Sequence, residues 1–321
     1  MSTAPSHPHP PAHAQPQTHP HPHAPVHGQA PALKSRTLVF SHANGFPAGC
    51  YRVLFEHWEA AGWTVHALPR LGHDPRFPVT SNWPHLRDEL LHFIDDQVKP
   101  DDPVVLAGHS LGGMVSLLAA CKRPSLTAGV VLLDSPVVDG WRAHSVRMAK
   151  AAKFIHRVSP GKVSRTRRHE WPSLDDVHQH FAAKSKFARW DPRVLKDYID
   201  SGFDRLEDGR IKLGFSRDIE TRIYNTLPHN LPRILRNHPP RCPVAFIAGT
   251  QSEELRQAGA AGSKALARDL FRWFEGTHLY PFERPNDTAA LVLSLIDEMR
   301  LTGGASGSPP AASTASPGAV G

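Results

Sequence analysis

Pro103-Val104-Val105-Leu106-Ala107-Gly108-His109-Ser110-Leu111-Gly112 is the stretch of this 321-residue chain that decides its fold. The apolar run before Gly108 predicts a buried strand, and the residues from Leu111 to Arg123 predict a helix. The pattern Gly-x-Ser-x-Gly between a strand and a helix is typical of a sharp turn that projects its serine into solvent. Gly108 and Gly112 carry no Cβ atoms that would collide in such a turn. The sequence therefore predicts a serine held at a strained turn, where it is placed to act as a nucleophile.

Apolar runs alternate with helical patterns on both sides of this stretch. Several runs are nearly continuous Val, Leu, Ile and Phe, which is typical of strands covered on both faces. The alternation predicts a doubly wound, mostly parallel α/β sheet that binds ligands at the carboxyl ends of its strands. The expected strands are Thr37–Phe40, Thr64–Leu68, Val104–Ala107, Val130–Leu133, Val244–Ala248 and Leu270–Phe274, and the expected helices are Cys50–Ala61, Trp83–Gln97, Leu111–Lys122 and Thr288–Arg300.

The segment from Ser135 to Arg241 breaks this alternation. It has no comparable strand and contains amphipathic pieces punctuated by proline, such as Leu174–Ala183 and Pro192–Ser201. Asp208-Gly209 indicates one local turn or short hairpin. We expect this segment to be a mostly helical cap, inserted between two strands, that excludes water and forms the substrate pocket.

Both ends of the chain have compositions that cannot form a core. Residues 1–32 are mostly Pro, His and Ala, and residues 302–321 are mostly Gly, Ser, Ala and Pro. Such segments bury too little apolar surface to offset the entropy of ordering, so we expect disordered tails. The expected folded part is a core of residues 33–135 and 241–301 with a cap of residues 136–240.

A nucleophilic serine needs a base that removes its proton and an acid that orients the base. The candidate base is His278, which follows an expected strand in Glu275-Gly276-Thr277-His278-Leu279. Among 22 histidines, this one has the chain order and the loop position that the chemistry needs.

The acid has two possible positions, each at the end of a strand. The strand after the nucleophile helix ends at Asp134 in Val131-Leu132-Leu133-Asp134-Ser135-Pro136. After the next strand an aspartate is expected at Ser252 and is missing. That gap favours Asp134, with Glu254 and then Glu253 as the alternative acids.

Backbone N–H groups are expected to hold the negative oxygen that forms beside Ser110. The start of the nucleophile helix aims the N–H of Leu111 at this place. The second donor comes from the loop Ser41–Pro47, where we favour the amide of Phe46, with Asn44 as the competing donor. His42 in the same loop is interpreted as structural.

Composition narrows the classes of partner. The net charge of +7 is concentrated between Arg142 and Arg168, which hold nine basic and no acidic residues. This stretch lacks regularly spaced aromatics and any nucleic-acid signature, so we interpret it as a solvated helical surface. No apolar run approaches the ~18 residues of a membrane span, and no signal peptide is recognised. The three cysteines form neither a disulfide framework nor a metal pattern, which favours the cytoplasm and predicts no metal site: Cys50, Cys121 and Cys242.

Three motifs in this order resemble the α/β-hydrolase superfamily, and specifically its capped serine hydrolases of the esterase type: Val39 to Phe46, Gly108 to Gly113 and Gly276 to Pro285. The resemblance spans about residues 36 to 300. It implies a Ser–His–acid triad, an acyl-enzyme intermediate and no cofactor. The superfamily usually has an N-terminal hairpin before its first parallel strand, and because few foldable residues precede Thr37 we expect that edge to be missing; the aspartate usual after the penultimate strand is also absent from the sequence.

The expected function is hydrolysis of a small carboxylic ester, in which Ser110 attacks, His278 transfers the proton and Asp134 orients His278. The same triad also serves acyl transfer, perhydrolysis and cleavage of activated C–C bonds, because the cap decides the acceptor. A ligand-binding receptor on a hydrolase scaffold is a third interpretation, against which the complete triad argues.

Overall fold

The apolar runs of the sequence form the strands of the structure. The computed structural model describes residues 33–137, 161–299 and 301. Within these residues the strands are, in chain order, β1 (Thr37–Ser41), β2 (Thr64–Ala67), β3 (Val104–His109), β4 (Thr127–Leu133), β5 (Glu170–Trp171), β6 (Phe203–Arg205), β7 (Ile211–Leu213), β8 (Val244–Gly249) and β9 (Phe271–Phe274).

Helices connect the strands and fill the segment between β4 and β8. Short 3-10 helices lie at Ala48–Tyr51, Pro124–Leu126, Phe187–Arg189 and Arg268–Leu270, and a π-helical segment lies at Ile94–Val98. The α-helices of the described residues are α1 (Arg52–Ala60), α2 (Pro84–Phe93), α3 (Leu111–Lys122), α4 (Gly161–Thr166), α5 (Leu174–Ala182), α6 (Pro192–Gly202), α7 (Arg217–Asn225), α8 (Leu231–Asn237), α9 (Glu253–Ala258), α10 (Ala261–Ala267), α11 (Tyr280–Glu283) and α12 (Pro285–Glu298).

Six strands form one sheet in the order β2-β1-β3-β4-β8-β9. Every neighbouring pair is parallel, as the near-continuous apolar runs predict. The order reverses direction between β1 and β3, so the loops after these two strands diverge and leave a crevice at their carboxyl ends. This crevice is where ligands bind in doubly wound sheets, and the loop after β3 carries Ser110.

Two buried clusters cover the two faces of this sheet. Along each strand alternate side chains enter opposite clusters, so that Leu38 and Phe40 face one layer and Val39 faces the other. The first layer includes Trp58 of α1 and Val292 of α12, whereas α2 and α3 pack on the second face. Burying one such apolar side chain contributes about 1.5–3 kcal/mol. The sheet with helices on both faces confirms the predicted doubly wound architecture.

Where the structure describes it, in residues 134–137 and 161–243, the segment between β4 and β8 contains five α-helices and one feature that the sequence did not predict. Strands β6 and β7 form a hairpin around Asp208-Gly209, as the turn pattern indicated. The strand β5 pairs with the other side of β7, which makes a three-stranded antiparallel sheet. A two-residue strand is too short to show an alternating pattern, so only its partner in space reveals it.

Helix α1 begins at Arg52, because a 3-10 helix covers the expected start at Cys50, and two further expected helices also begin at different residues in the structure. Trp83 has a left-handed backbone (φ 57°), so α2 begins one residue later at Pro84. The final helix begins at Pro285, three residues before the expected Thr288, because proline is well tolerated in the first turn. Each difference leaves the apolar face of the helix on the sheet.

Several expectations concern residues outside the described ranges. These are the two tails, residues 1–32 and 302–321, and most of the basic stretch between Arg142 and Arg168. In residues 33–137, 161–299 and 301, none of the helices combines the length and apolarity that a membrane crossing requires. All three cysteines are buried thiols without disulfide partners.

Candidate active site

Ser110 occupies the strained turn that the sequence predicts. Its backbone angles are φ 54° and ψ −112°, a conformation that costs about 1–3 kcal/mol for a residue other than glycine. A Cβ atom on Gly108 would lie 2.4 Å from the carbonyl carbon of Gly112, and one on Gly112 would lie 2.0 Å from the carbonyl oxygen of Ser41. The N–H of Ser110 donates to the carbonyl of Leu133 at 2.9 Å. Close backbone contact on both sides therefore holds the serine at the end of β3.

His278 and Asp134 meet at the carboxyl edge of the sheet. The Nδ1 atom of His278 lies 2.6 Å from Oδ2 of Asp134, although the two residues are 144 positions apart. Asp134 follows β4 and is fully buried, and the His278 side chain is 15% exposed. Because the carboxylate accepts the Nδ1 proton, the neutral ring has a free lone pair on Nε2, the arrangement that a general base needs.

Asp134 is held by donors from the loop after β8. Its Oδ1 atom accepts from the N–H of Gly249 at 2.9 Å. Its Oδ2 atom accepts from the hydroxyl of Ser252 at 2.5 Å. Ser252 therefore stands at the position where an aspartate is expected from sequence, and it binds the carboxylate that β4 provides. The missing aspartate is evident from the sequence, whereas the contact between Ser252 and Asp134 is visible only in the structure.

The alternative acids occupy different positions. Oε2 of Glu254 lies 3.8 Å from Nδ1 of His278, beyond hydrogen-bond distance, and its side chain is 52% exposed. Glu253 points elsewhere and forms an exposed ion pair with Arg256. Of the three candidate acids, only Asp134 is hydrogen-bonded to His278.

Glu283 holds the loop that carries His278 through two hydrogen bonds to Thr277. One carboxylate oxygen of Glu283 accepts from the hydroxyl of Thr277 at 2.6 Å, and the other accepts from the Thr277 N–H at 3.1 Å.

The pKa of His278 is raised above its usual value. Burial lowers this pKa, but the hydrogen bond and the charge of Asp134, together with the charge of Glu254, outweigh the effect of burial. The site therefore stabilises the imidazolium that forms when His278 accepts a proton.

The loop after β1 changes one expectation about the oxyanion donors. The N–H of Phe46 donates to the carbonyl of Ala43 at 3.1 Å, in a turn where Gly45 has φ 84°. This amide already donates within its own loop, which favours Asn44, the competing donor, over Phe46. Leu111 begins α3, and an N–H in the first helical turn has no acceptor within the helix.

His42 is a structural residue of the same loop, as the sequence analysis proposed. Its Nδ1 lies 2.8 Å from the carbonyl of Ala43, and its Nε2 accepts from the N–H of Leu71 at 2.7 Å. Since a carbonyl only accepts and an amide N–H only donates, His42 must be neutral with its proton on Nδ1. Burial accordingly lowers the pKa of His42 to about 4.

Asp134, Glu254 and His278 also bring three atoms of metal-ligand type within 4.8 Å of one another. Two ligands of one zinc ion stand roughly 3 Å or more apart, because each lies about 2 Å from the metal in tetrahedral geometry. The 2.6 Å separation between Asp134 and His278 is that of a hydrogen bond. The geometry therefore fits an acid–base pair better than a metal centre.

A surface groove of about 610 Å³ is lined by other residues, among them Arg70, Asp74, Glu89 and His92. None of Ser110, Asp134 and His278 lines it. The hydrogen-bonded acid–base pair, and not this groove, marks the candidate site, because the pair is buried and lies at the same carboxyl edge of the sheet as the strained serine.

Aromatic side chains of the inserted segment reach the loop after β1. The ring of Phe46 lies 5.7 Å from that of Trp190 and 5.8 Å from that of Tyr198, measured between centroids. Phe181 instead packs on Phe187 and on other rings within the segment. Trp190 and Tyr198 thus contact Phe46, whereas Phe181 and Phe187 pack mainly inside the segment.

Comparison with known proteins gives one family and several relatives. The sequence profile of the alpha/beta hydrolase family matches residues 38–291. The chain is 29% identical over 188 residues to the monoglyceride lipase homolog of Monkeypox virus, a match that covers 54% of this chain and 62% of the viral protein. The chain spans between 45% and 62% of the length of the monoglyceride lipases that it matches.

A second relative and a solved structure match over more of their length. Lipase LipV of Mycobacterium tuberculosis is 28% identical over 271 residues, covering 77% of this chain and 94% of that protein. The crystal structure of E-2-(acetamidomethylene)succinate hydrolase superposes with a TM-score of 0.65 at 20% identity, covering 83% of this chain and 93% of the other. At that identity the structural match supports the fold alone.

Proposed function

Because the chain belongs to the alpha/beta hydrolase family, we propose that it is a serine hydrolase that cleaves carboxylic esters through an acyl-enzyme intermediate. Ser110 attacks the ester carbonyl and His278 accepts the serine proton on Nε2. His278 then returns this proton to the leaving alcohol, and water repeats the sequence to release the acid. Asp134 keeps the proton of His278 on Nδ1 and balances the charge of the imidazolium.

The observation that carries this proposal is the buried 2.6 Å hydrogen bond between His278 and Asp134. A histidine oriented by a fully buried carboxylate, at the same sheet edge as a serine with positive φ, is the arrangement that nucleophilic catalysis requires. A receptor that only binds its ligand has no need for a strained serine at the same sheet edge as an oriented base.

The oxyanion donors are assigned to the N–H groups of Leu111 and Asn44. Asn44 is the competing donor of the sequence analysis, and it replaces Phe46 because the Phe46 amide is engaged with Ala43. The side chain of Asn44 donates to the carbonyl of Glu220 at 3.1 Å, which holds this residue against α7. Removing one donor of this kind typically lowers kcat by about 10²–10³-fold.

The substrate is proposed to be an ester with an apolar acyl chain. The aromatic contacts of Phe46 with Trp190 and Tyr198 supply an apolar surface beside the assigned oxyanion loop. The relatives named as lipases support the same class of substrate.

We assign residues 136–240 as the cap that selects the substrate, and residues 33–135 and 241–301 as the catalytic core. The three unpaired cysteines support a reducing compartment such as the cytoplasm.

The test is covalent labelling of the full-length protein with a fluorophosphonate probe, read by intact mass and by peptide mapping. We expect one label on Ser110, none on Ser110→Ala, and hydrolysis of p-nitrophenyl esters that falls at least about 10³-fold in Ser110→Ala. Ser294→Ala, which removes an exposed hydroxyl on α12, is the matched control and keeps both activities. Ester turnover by Ser110→Ala at the wild-type rate would contradict the proposal.

Products analysed with added alcohol separate hydrolysis from acyl transfer. We expect the free acid to predominate at alcohol concentrations well below that of water. An ester product that predominates under these conditions would retain the triad but assign a transferase activity to it.

A further inference from the structure

His109, the residue before the nucleophile, is buried and hydrogen-bonded through both ring nitrogens. Its Nε2 atom lies 2.8 Å from the backbone carbonyl oxygen of His278. Its Nδ1 atom lies 2.8 Å from the hydroxyl oxygen of Tyr51. Because a carbonyl oxygen only accepts, Nε2 carries the ring proton and Nδ1 accepts from the Tyr51 hydroxyl.

Tyr51 extends this connection to the loop after β1. Its hydroxyl oxygen accepts from the backbone N–H of Ala43 at 3.1 Å, while its proton is donated to His109. A directed chain therefore runs from Ala43 through Tyr51 and His109 to the carbonyl of His278. Ala43 precedes Asn44, the assigned oxyanion donor, so the chain joins the two loops that flank Ser110.

We propose that Tyr51 and His109 are positioning residues, which set the separation between the oxyanion donor of Asn44 and the general base His278. This inference rests on the function proposed above. Neither side chain is assigned a contact with the reacting atoms. They act through backbone groups, the N–H of Ala43 on one side and the carbonyl of His278 on the other.

Packing alone does not account for these two polar groups. The Tyr51 ring packs on Phe40 and Phe282, with centroids 4.6 and 4.8 Å away, and a phenylalanine would fill the same space. A buried hydroxyl or imidazole without partners is costly, whereas here each group is paired in a fixed direction. The polar groups of Tyr51 and His109 therefore connect the two loops through the core.

Because His109 stays neutral, each hydrogen bond from Ala43 through Tyr51 and His109 to His278 keeps its donor and its acceptor. Burial, reinforced by the positive form of His278, lowers the pKa of His109 well below its usual value. The two imidazole rings are 5.0 Å apart between centroids, so a charged His109 would oppose the imidazolium of His278. A neutral His109 holds the carbonyl of His278 without disfavouring proton transfer to its ring.

The first test is Tyr51→Phe, which keeps the ring and removes the hydroxyl. The N–H of Ala43 and Nδ1 of His109 then lose their partner, and the two loops are no longer tied. Since a displacement of about 1 Å in a reacting group costs roughly 10²-fold, we expect kcat to fall about 10- to 100-fold with KM changed less than about twofold. Affinity for a boronic acid, which forms a tetrahedral adduct with the serine, should fall by the same factor as kcat/KM.

Phe55→Leu is the matched packing control. Phe55 lies against Tyr51 and Phe40 but has no polar group, so its truncation loosens the same aromatic cluster and leaves the chain intact. We expect a lower Tm with kcat and boronate affinity near wild type. If Tyr51→Phe loses no more kcat than Phe55→Leu at the same loss in Tm, Tyr51 is only a packing residue and the proposal is wrong.

A second pair of variants tests the role of His109. These variants keep the proposal testable if Tyr51→Phe does not fold. His109→Gln keeps a neutral side chain with one acceptor and one donor, whereas His109→Leu keeps similar bulk and loses both. We expect the glutamine variant to retain at least about tenfold more kcat than the leucine variant. Equal kcat in the two would overturn the inference. Failure of the proposed function is distinguishable, because the wild-type protein would then neither label at Ser110 nor turn over esters.

Discussion

The hydroxyl of Ser252 donates a 2.5 Å hydrogen bond to the carboxylate of Asp134, and both residues are buried. Ser252 follows β8, while Asp134 follows the neighbouring strand β4. The same Ser252 oxygen accepts from the N–H of Leu255 and begins helix α9. A single hydroxyl thus fixes the start of a helix and one oxygen of the proposed catalytic acid.

Replacing Ser252 by alanine is expected to affect both activity and stability. The lost hydrogen bond to Asp134 should lower kcat/KM by about three- to tenfold, corresponding to roughly 1 kcal/mol. The lost helix cap should cost about 1 kcal/mol of the free energy of unfolding. Ester kinetics and urea denaturation measure the two effects. Ser173→Ala removes the corresponding cap from α5 and should reduce only the stability; an equal loss of activity there would refute a specific role of Ser252.

Asp134→Asn and Glu254→Gln should differ widely in activity. The asparagine variant loses the charge that orients and stabilises His278, and we expect kcat to fall about 10³–10⁴-fold. The Glu254 side chain is half exposed and lies 3.8 Å from His278, so its neutralisation should cost less than about tenfold. Fluorophosphonate labelling rates and ester kinetics decide between the two carboxylates. The reverse order of effects would move the acid to Glu254.

The dependence of kcat/KM on pH should report the pKa of His278. The base must be neutral to act, and its pKa is raised, so the acidic limb is expected above pH 6.5. Glu254→Gln removes a negative charge that raises this pKa, and the limb should therefore move to lower pH. Added salt should reduce the difference between the two profiles. Glu253→Gln, beside it in sequence, should keep the wild-type limb; an unmoved limb in Glu254→Gln would contradict the assignment.

The free energy of unfolding should fall when the pH is lowered from 6.5 towards 4. Burial lowers the pKa of His42 to about 4, so the unfolded chain takes up a proton first and is favoured below pH 6.5. This one group accounts for ~3 kcal/mol over that interval, at about 1.4 kcal/mol per pH unit. Urea denaturation at a series of pH values measures the slope. The slope of the free energy of unfolding against pH should be shallower in His42→Gln. It should keep its wild-type value in His178→Gln, which changes an exposed position.

The arrangement of the sheet could be predicted from sequence because its signals are local. Continuous apolar runs such as Val104–Ala107 indicate strands buried on both faces, and the glycines around Ser110 indicate a close backbone contact. The helix Leu111–Lys122 was predicted with its observed bounds. The strand β5 could not be predicted, because two residues carry no period and pair only with the distant β7.

Some features of the candidate site could likewise be predicted from local sequence, and others depend on contacts between distant residues. A serine at a strained strand-to-helix turn could be predicted from local sequence, since the pattern Gly-x-Ser-x-Gly and its flanking runs specify local backbone geometry. The partner of His278, the engagement of the Phe46 amide and the connection through His109 were decided only by the tertiary structure. These are distances between loops that come from different strands, and parallel strands bring their ends together whatever their separation along the chain.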